Sequence, residues 1–185
     1  MPGLKVVTIG TIGDARHILA LALKEPGPVI ILEYTSLLNI EGRPGDSIQP
    51  FGSAVVMKPG KDITLMGIGT TVPKTLEAAG LLKAVGLEAE VINLRSLRPL
   101  DSDTIYNSVR KTHRVLIAED GWQSFGIGAE IAARISRECF YELDAPVTRM
   151  GGREVPVPYP LHLEQACFPD AKAIAETAQT CCGHD

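Results

Sequence analysis

The run Asp62-Ile63-Thr64-Leu65-Met66-Gly67, followed by Thr71-Val72-Pro73 and then, beyond Gly86, by Glu90-Val91-Ile92-Asn93-Leu94, reads as strand, helix, strand. Both outer runs are short, apolar and rich in β-branched residues, the pattern of strands covered on two faces. Between them Val72, Leu76, Ala79, Leu82 and Val85 recur at helical spacing. Pro73 lies near the helix start, where the lost N–H has no partner to lose. Gly86 suits the position just past a helix end. Two apolar strands joined through a helix imply a parallel pair with a right-handed crossover.

Downstream the alternation continues. Asp101 predicts the cap of a helix reaching about Lys111, and Arg114–Ala118 reads as another buried strand. Phe125–Phe140 reads as a helix stacking Ile127, Ile131 and Ile135, Val147–Met150 as a last strand, and Pro169–Thr180 as a final helix. Upstream, Ala54–Lys58 is separated from Asp62–Gly67 by Pro59-Gly60-Lys61, a hairpin signal that predicts an antiparallel neighbour. The expected fold class is α/β. Residues 54–185 should form a three-layer α/β/α domain around a mostly parallel five-stranded sheet, with Ala54–Lys58 as an antiparallel edge strand.

The beginning of the chain has its own small pattern. Leu4–Ile9 is β-rich, and Thr11 with Asp14 three residues later approximates a capping box. The helix it opens has Ala15, Ile18, Leu19, Ala22 and Leu23 on one face, and Pro26-Gly27-Pro28 stops it before the apolar strand Val29–Leu32. Residues 1–35 therefore read as a βαβ unit whose strands have no evident sheet partners, which predicts self-association through bare edges. Residues 36–53 carry Asn39, Gly42, Pro44, Gly45, Asp46, Pro50 and Gly52 and read as a linker.

Composition narrows the class. At 185 residues, 45% hydrophobic and 22% charged, the chain suits one domain with an appendage, and burial near ~70% of the unfolded surface supports a core without disulfides. A net charge of −4 with a pI near 5.6 argues against nucleic acid or an anionic membrane as partner. No apolar run approaches the ~20 residues of a membrane span. Met-Pro-Gly-Leu-Lys resembles neither a signal nor a transit peptide, so a cytoplasmic location is the expectation. Cys139, Cys167, Cys181 and Cys182 form no CxxC pair. Cys181-Cys182-Gly183-His184 holds potential zinc ligands, but reduced thiols and a frayed tail explain it as well.

Few residues suggest chemistry. Gly67-Ile68-Gly69 stands where a strand becomes a helix, a geometry that cradles phosphate, yet the third glycine is replaced by Val72 and no acidic ribose ligand follows the next strand. A tight turn is the preferred reading. Glu119 and Asp120 end an apolar strand, where open α/β sheets place ligand contacts. They could bind a cation or raise one another's pKa, or instead cap the following turn or meet arginines across an interface, and the latter two are the preferred readings. His17, His113, His162 and His184 lie on separate elements and suggest no triad. Arg149–Pro160 is a rigid Pro/Gly-rich excursion with two arginines, suited to a subunit contact.

Several blocks resemble the beta subunits of the pyruvate, branched-chain and acetoin dehydrogenases. They are Pro2–Val6, Pro28–Glu33, Asp62–Met66, Glu88–Asp101 with its Arg-Pro-Leu-Asp ending, Thr112–Trp122, Phe125–Arg134, Asp144–Arg149 and Val155–Tyr159. The resemblance covers nearly the whole chain in order. It implies a transketolase-type C-terminal domain at 54–185, a remnant of a pyrimidine-binding domain at 1–35, and a linker at 36–53. It also implies oxidative decarboxylation of a 2-oxo acid with acyl transfer to lipoyl groups. The full enzyme would use thiamin diphosphate and Mg²⁺, with an alpha subunit, a second beta subunit and a lipoyl transacylase core as partners. The activating glutamate and the catalytic histidine of the family fall outside the matching blocks, so no catalytic, cofactor-binding or metal residue is assigned here. This chain alone is expected to bind no cofactor and to serve assembly and docking. Glu33, Glu119, Asp120, Trp122, Arg149 and Arg153 are the candidate interface or ligand contacts. The alternatives are half of a split transketolase-like enzyme and a stand-alone small-molecule-binding α/β module.

Overall fold

The computed structural model describes residues 2–43 and 48–183. Two sheets organise the chain. The larger has five strands: β3 (Val55–Lys58), β4 (Ile63–Gly67), β5 (Ala89–Asn93), β7 (Val115–Trp122) and β8 (Thr148–Gly152), in the order β3-β5-β4-β7-β8. The smaller is β2 (Val29–Leu32), β1 (Lys5–Thr8) and β6 (Ser96–Arg98), with β1 in the middle.

In the larger sheet β5, β4, β7 and β8 run parallel. The central strands β4 and β5 are buried along their whole length, because helices cover both faces. Helix α2 (Thr71–Ala84) and helix α6 (Ala171–Cys181) lie on one side, where Ala78, Leu82, Ile174 and Ala178 pack against Ile63, Leu65 and Val91. Helix α3 (Ser102–Thr112) and helix α4 (Ile127–Glu138) lie on the other, where Ile105, Val109, Ile131 and Ile135 meet Met66, Ile92 and Ile117. The three-layer expectation holds, and so does the antiparallel edge strand, since β3 runs against β5.

The hairpin expectation does not hold. Strand β4 lies beyond β5, so Pro59-Gly60-Lys61 carries the chain across the end of a neighbouring strand. The backbone there is tied to it, with Lys61 N–H donating to Glu88 O at 2.8 Å. The turn signal was correct about reversal but silent about a strand arriving later to intervene.

Capping explains the helix starts. Asp101 accepts from Thr104 N–H at 3.1 Å and also from Ala54 N–H at 2.9 Å, so one carboxylate caps α3 and anchors the entry to β3. Asp170 caps α6 through Ala173 N–H at 2.7 Å. Helix α4 begins at Ile127, later than the apolar spacing implies, because Phe125 takes φ +60 and cannot be helical.

The first 35 residues correct two further expectations. Helix α1 (Ile12–Ala22) buries Ile18 and Ala22 but leaves Leu19 and Leu23 exposed, so its packed stripe is narrower than the spacing implies. Strand β1 does find a partner beyond β2: β6, from the segment after β5, pairs antiparallel with it. Strand β2 remains an edge, and Ile30 and Leu32 stand exposed on it. The cysteines are thiols. Cys181 Sγ lies 3.1 Å from Thr148 Oγ1, and burial pushes the Cys182 thiol above its ordinary value. His184 of the zinc reading lies outside the described residues.

The doubly used Asp101 yields a test. Asp101→Ala should lower stability by about 1–3 kcal/mol, because it removes a helix cap and orphans Ala54 N–H. Asp103→Ala, in the first turn of the same helix but without a capping bond, should change it by less than about 0.5 kcal/mol. Urea unfolding midpoints of the two variants check this.

Candidate functional site

The chain leaves β4 toward β5 on one side and later enters β7 on the other, so the C-terminal ends of β4 and β7 form the switch point where open α/β sheets hold ligands. Here that crevice is filled from within. Gly69 follows β4 at φ +57, a conformation that glycine adopts without strain. The Tyr34 ring lies against it so closely that any Cβ would collide. Thr71 Oγ1 accepts from Ile68 N–H at 2.8 Å and reaches Ala118 O at 2.7 Å, joining β4 to β7. Thr71 N–H and Val72 N–H donate to Ile68 O and Gly69 O. The amides of Ile68, Thr71 and Val72 are thus already bonded. Gly67-Ile68-Gly69 is a tight turn.

Asp120 sits beside this plug. Its Oδ1 is 3.6 Å from Lys74 Nζ, outside hydrogen-bond range, so Lys74 acts as a nearby charge and also lies 5.9 Å from the Phe168 ring centre. Burial pushes the Asp120 carboxyl above its ordinary value, with Lys74 opposing, and burial together with the Asp120 charge pushes the Tyr34 phenol up. A cavity of about 370 Å³ opens next to Tyr34. Ile9, Leu37, Leu38, Ile40, Pro73 and Leu76 line it, with Glu33 among the few polar residues at its wall. The arrangement suits holding an apolar group beside the Tyr34 ring.

Glu119 points elsewhere. Only 3% exposed, it accepts from Gly128 N–H at 3.2 Å at the start of α4, and Arg149 Nη2 stands 3.4 Å away. Arg149 also donates to Gln123 O. Of the readings of the Glu119–Asp120 pair, Glu119 meets the turn-capping one, and the arginine it meets belongs to its own chain rather than lying across an interface. Trp122 pairs with Gly152 in register, which brings it near the exposed Arg153, and Trp122 is itself half-exposed. Glu33 is exposed and separate from these four. Tyr34 and Lys74 escaped the sequence reading because neither sits in a motif; Tyr34 follows Glu33 as an ordinary aromatic. Among the described residues no group of three or more His, Cys, Asp or Glu could hold a metal ion, and no helix is long and apolar enough to cross a membrane.

An α/β/α layer with an antiparallel edge strand and a plugged switch point defines the class. The family described as "Transketolase, C-terminal domain" matches residues 52–174, and the chain belongs to it. It is similar to pyruvate dehydrogenase E1 beta subunits: to a mitochondrial one from Drosophila melanogaster at 46% identity, covering 95% of this chain and 50% of that protein. A Rhizobium meliloti beta subunit is 36% identical over 98% of this chain and 40% of its own length. The chain thus spans about half the length of the curated relatives it matches. Among solved structures it resembles one titled "Split gene transketolase, inactive beta4 tetramer", with TM-score 0.77, 27% identity, 99% of this chain and 58% of that one. A transketolase from Leishmania mexicana, at TM-score 0.63 and 16% identity, shares the fold, covering 99% of this chain and 26% of that one.

These relatives overturn the cytoplasmic expectation. Those from Drosophila melanogaster, Chaetomium thermophilum and Oryza sativa are named mitochondrial. Targeting segments stand at the start of a whole precursor. The first residues of a chain aligned to part of its relatives cannot report on one.

Two outcomes test the site's electrostatics and packing. A carboxyl whose value is raised by folding contributes stability below its unfolded value and loses it as pH rises through the folded one. Asp120→Asn should therefore be stabilising near pH 7 relative to the parent and lose that advantage on acidification, as read from thermal midpoints across pH. At Gly128 an added Cβ would lie 2.5 Å from Glu119 Oε1. Gly128→Ala should destabilise by about 1–3 kcal/mol in urea unfolding.

Proposed function

We propose that this chain is the C-terminal part of the beta subunit of a pyruvate-type 2-oxo acid dehydrogenase, serving subunit assembly within an enzyme that decarboxylates a 2-oxo acid oxidatively and passes the acyl group to lipoyl arms. The similarity to pyruvate dehydrogenase E1 beta subunits along 95% or more of the chain carries this reading. In it residues 1–35 close a pyrimidine-binding domain, 36–53 link, and 54–185 form the assembly domain. The alpha subunit, a second beta subunit and the lipoyl transacylase core are the partners. Glu33, Trp122, Arg149 and Arg153 then belong to contact surfaces. Half-exposed Trp122, fully exposed Phe125 and Tyr159, and the exposed β2 edge support that role.

Thiamin diphosphate, with Mg²⁺, supplies the carbanion chemistry in such an enzyme. The residues at the Gly67–Gly69 turn do not fit it, because Ile68 N–H is bonded to Thr71 Oγ1 and the Tyr34 ring covers the turn. What this chain's residues do is hold surfaces and strand ends in place. A second reading, half of a split transketolase-like enzyme, is favoured by the likeness to the split-gene transketolase.

Calorimetry with thiamin diphosphate and Mg²⁺ should show no micromolar binding to the full chain alone, and pyruvate should yield no CO₂. Sedimentation at micromolar concentration should show species larger than 19.8 kDa. A single species at that mass would sink the assembly role, and tight cofactor binding would sink the division of labour.

A further inference from the structure

A second cavity, of about 350 Å³, lies on the other side of α1 from the apolar one. Thr11, Ile12 and Gly13 at the start of α1 line it, together with His17, Arg43, Asn93 and Arg95. Among the described residues the one acid on its wall is Asp14, against the two guanidiniums of Arg43 and Arg95.

The Asp14 carboxylate is well occupied. Its Oδ2 accepts from Asn93 Nδ2 at 2.8 Å, Thr11 Oγ1 at 2.8 Å and Gly10 N–H at 3.3 Å. Arg95 Nε lies 2.9 Å from Oδ1, close enough for charge pairing but without hydrogen-bond alignment. Arg95 is 3% exposed, and its Nε and Nη1 are buried with no hydrogen-bond partner, as is His17 Nε2. A guanidinium has five donors and no acceptor. Burying such donors without acceptors is strongly unfavourable, so a roomy cavity beside them, walled on its other side by Val55 and Met57, calls for an acceptor inside it. The backbone holds Arg95 in place at φ +27, uncommon outside glycine. The N-terminal end of the 11-residue helix α1 adds its positive dipole to the same space.

We propose that this cavity binds a compact oxyanion, a carboxylate or phosphoryl group, gripped by Arg95 and assisted by Arg43, His17 and the start of α1. A neutral ligand would leave the guanidinium charge uncompensated beyond its single contact with Asp14, whereas an oxyanion supplies both charge and acceptors. The site joins α1 to the end of β5, so its occupant would brace the first 35 residues against the larger sheet. This inference is independent of which enzyme the chain serves.

The test is a titration of the full chain, labelled with ¹⁵N, using inorganic phosphate and separately acetate, against chloride at matched ionic strength. Saturable amide shifts at Thr11–Gly13, His17, Asn93 and Arg95 are expected with at least one of the two anions and not with chloride. The anion that saturates at the lower concentration identifies the source as phosphoryl or carboxylate. Arg95→Lys keeps the charge but loses the forked donors and should weaken binding about tenfold. Arg43→Gln, on an exposed side chain, should weaken it by a similar factor and keeps the test decisive if Arg95→Lys fails to fold. Shifts that never saturate, or that match those in chloride, would leave only water in the cavity and overturn the proposal. Unchanged affinity in Arg43→Gln and in any folded Arg95→Lys would overturn it equally.

Discussion

Three pieces of backbone meet at the carboxylate of Asp14: the turn after β1, the first turn of α1, and the exit from β5. A charge buried this far is costly unless paired and hydrogen-bonded. Its environment therefore dictates where each piece must lie. Arg95, itself buried, is tied at its backbone as well, since Thr8 N–H donates to Arg95 O at 2.7 Å. Removing either partner would strand the other charge, at about 3–5 kcal/mol for pairs of this kind. The geometry of the short N-terminal unit thus follows from one ion pair more than from its apolar contacts, which on α1 amount to Ile18 and Ala22.

That anchoring also accounts for the smaller sheet. Once Arg95 is held at the end of β5, the next residues, Ser96–Arg98, emerge alongside β1 and pair with it. The partner that 1–35 lacks in its own sequence comes from a strand of three residues that no periodicity reveals. The pairing covers one side of β1 only. Strand β2 keeps its outer edge, and the exposed Ile30 and Leu32 keep that edge apolar. An edge of this kind invites another strand.

Elements with strong local signals were legible: the apolar runs of β4, β5 and β7, the caps at Thr11 and Asp101, and the three layers those imply. Order within the sheet was less so. Pro59-Gly60-Lys61 reports a reversal, but the insertion of β5 between β3 and β4 depends on a crossover formed later in the chain. Of the candidate residues, Glu119 and Arg149 do come together, because adjacent parallel strands β7 and β8 present them side by side. Tyr34 against Gly69, Lys74 beside Asp120, and Arg95 beside Asp14 join residues far apart in sequence and carry no local spacing. Only the fold makes them neighbours.

The two cavities flanking α1 differ for a physical reason. On one side the helix meets Val72, Pro73 and Leu76 of α2 and the segment carrying Leu37, Leu38 and Ile40, which bring apolar side chains to the space, and Tyr34 fills the crevice toward Gly69. On the other it meets the end of β5, where Asn93 and Arg95 stand, with unpaired donors beside the space. The switch point that α/β sheets ordinarily offer to ligands is thus closed by the chain's own aromatic. Polar binding capacity is displaced to the seam between the two sheets.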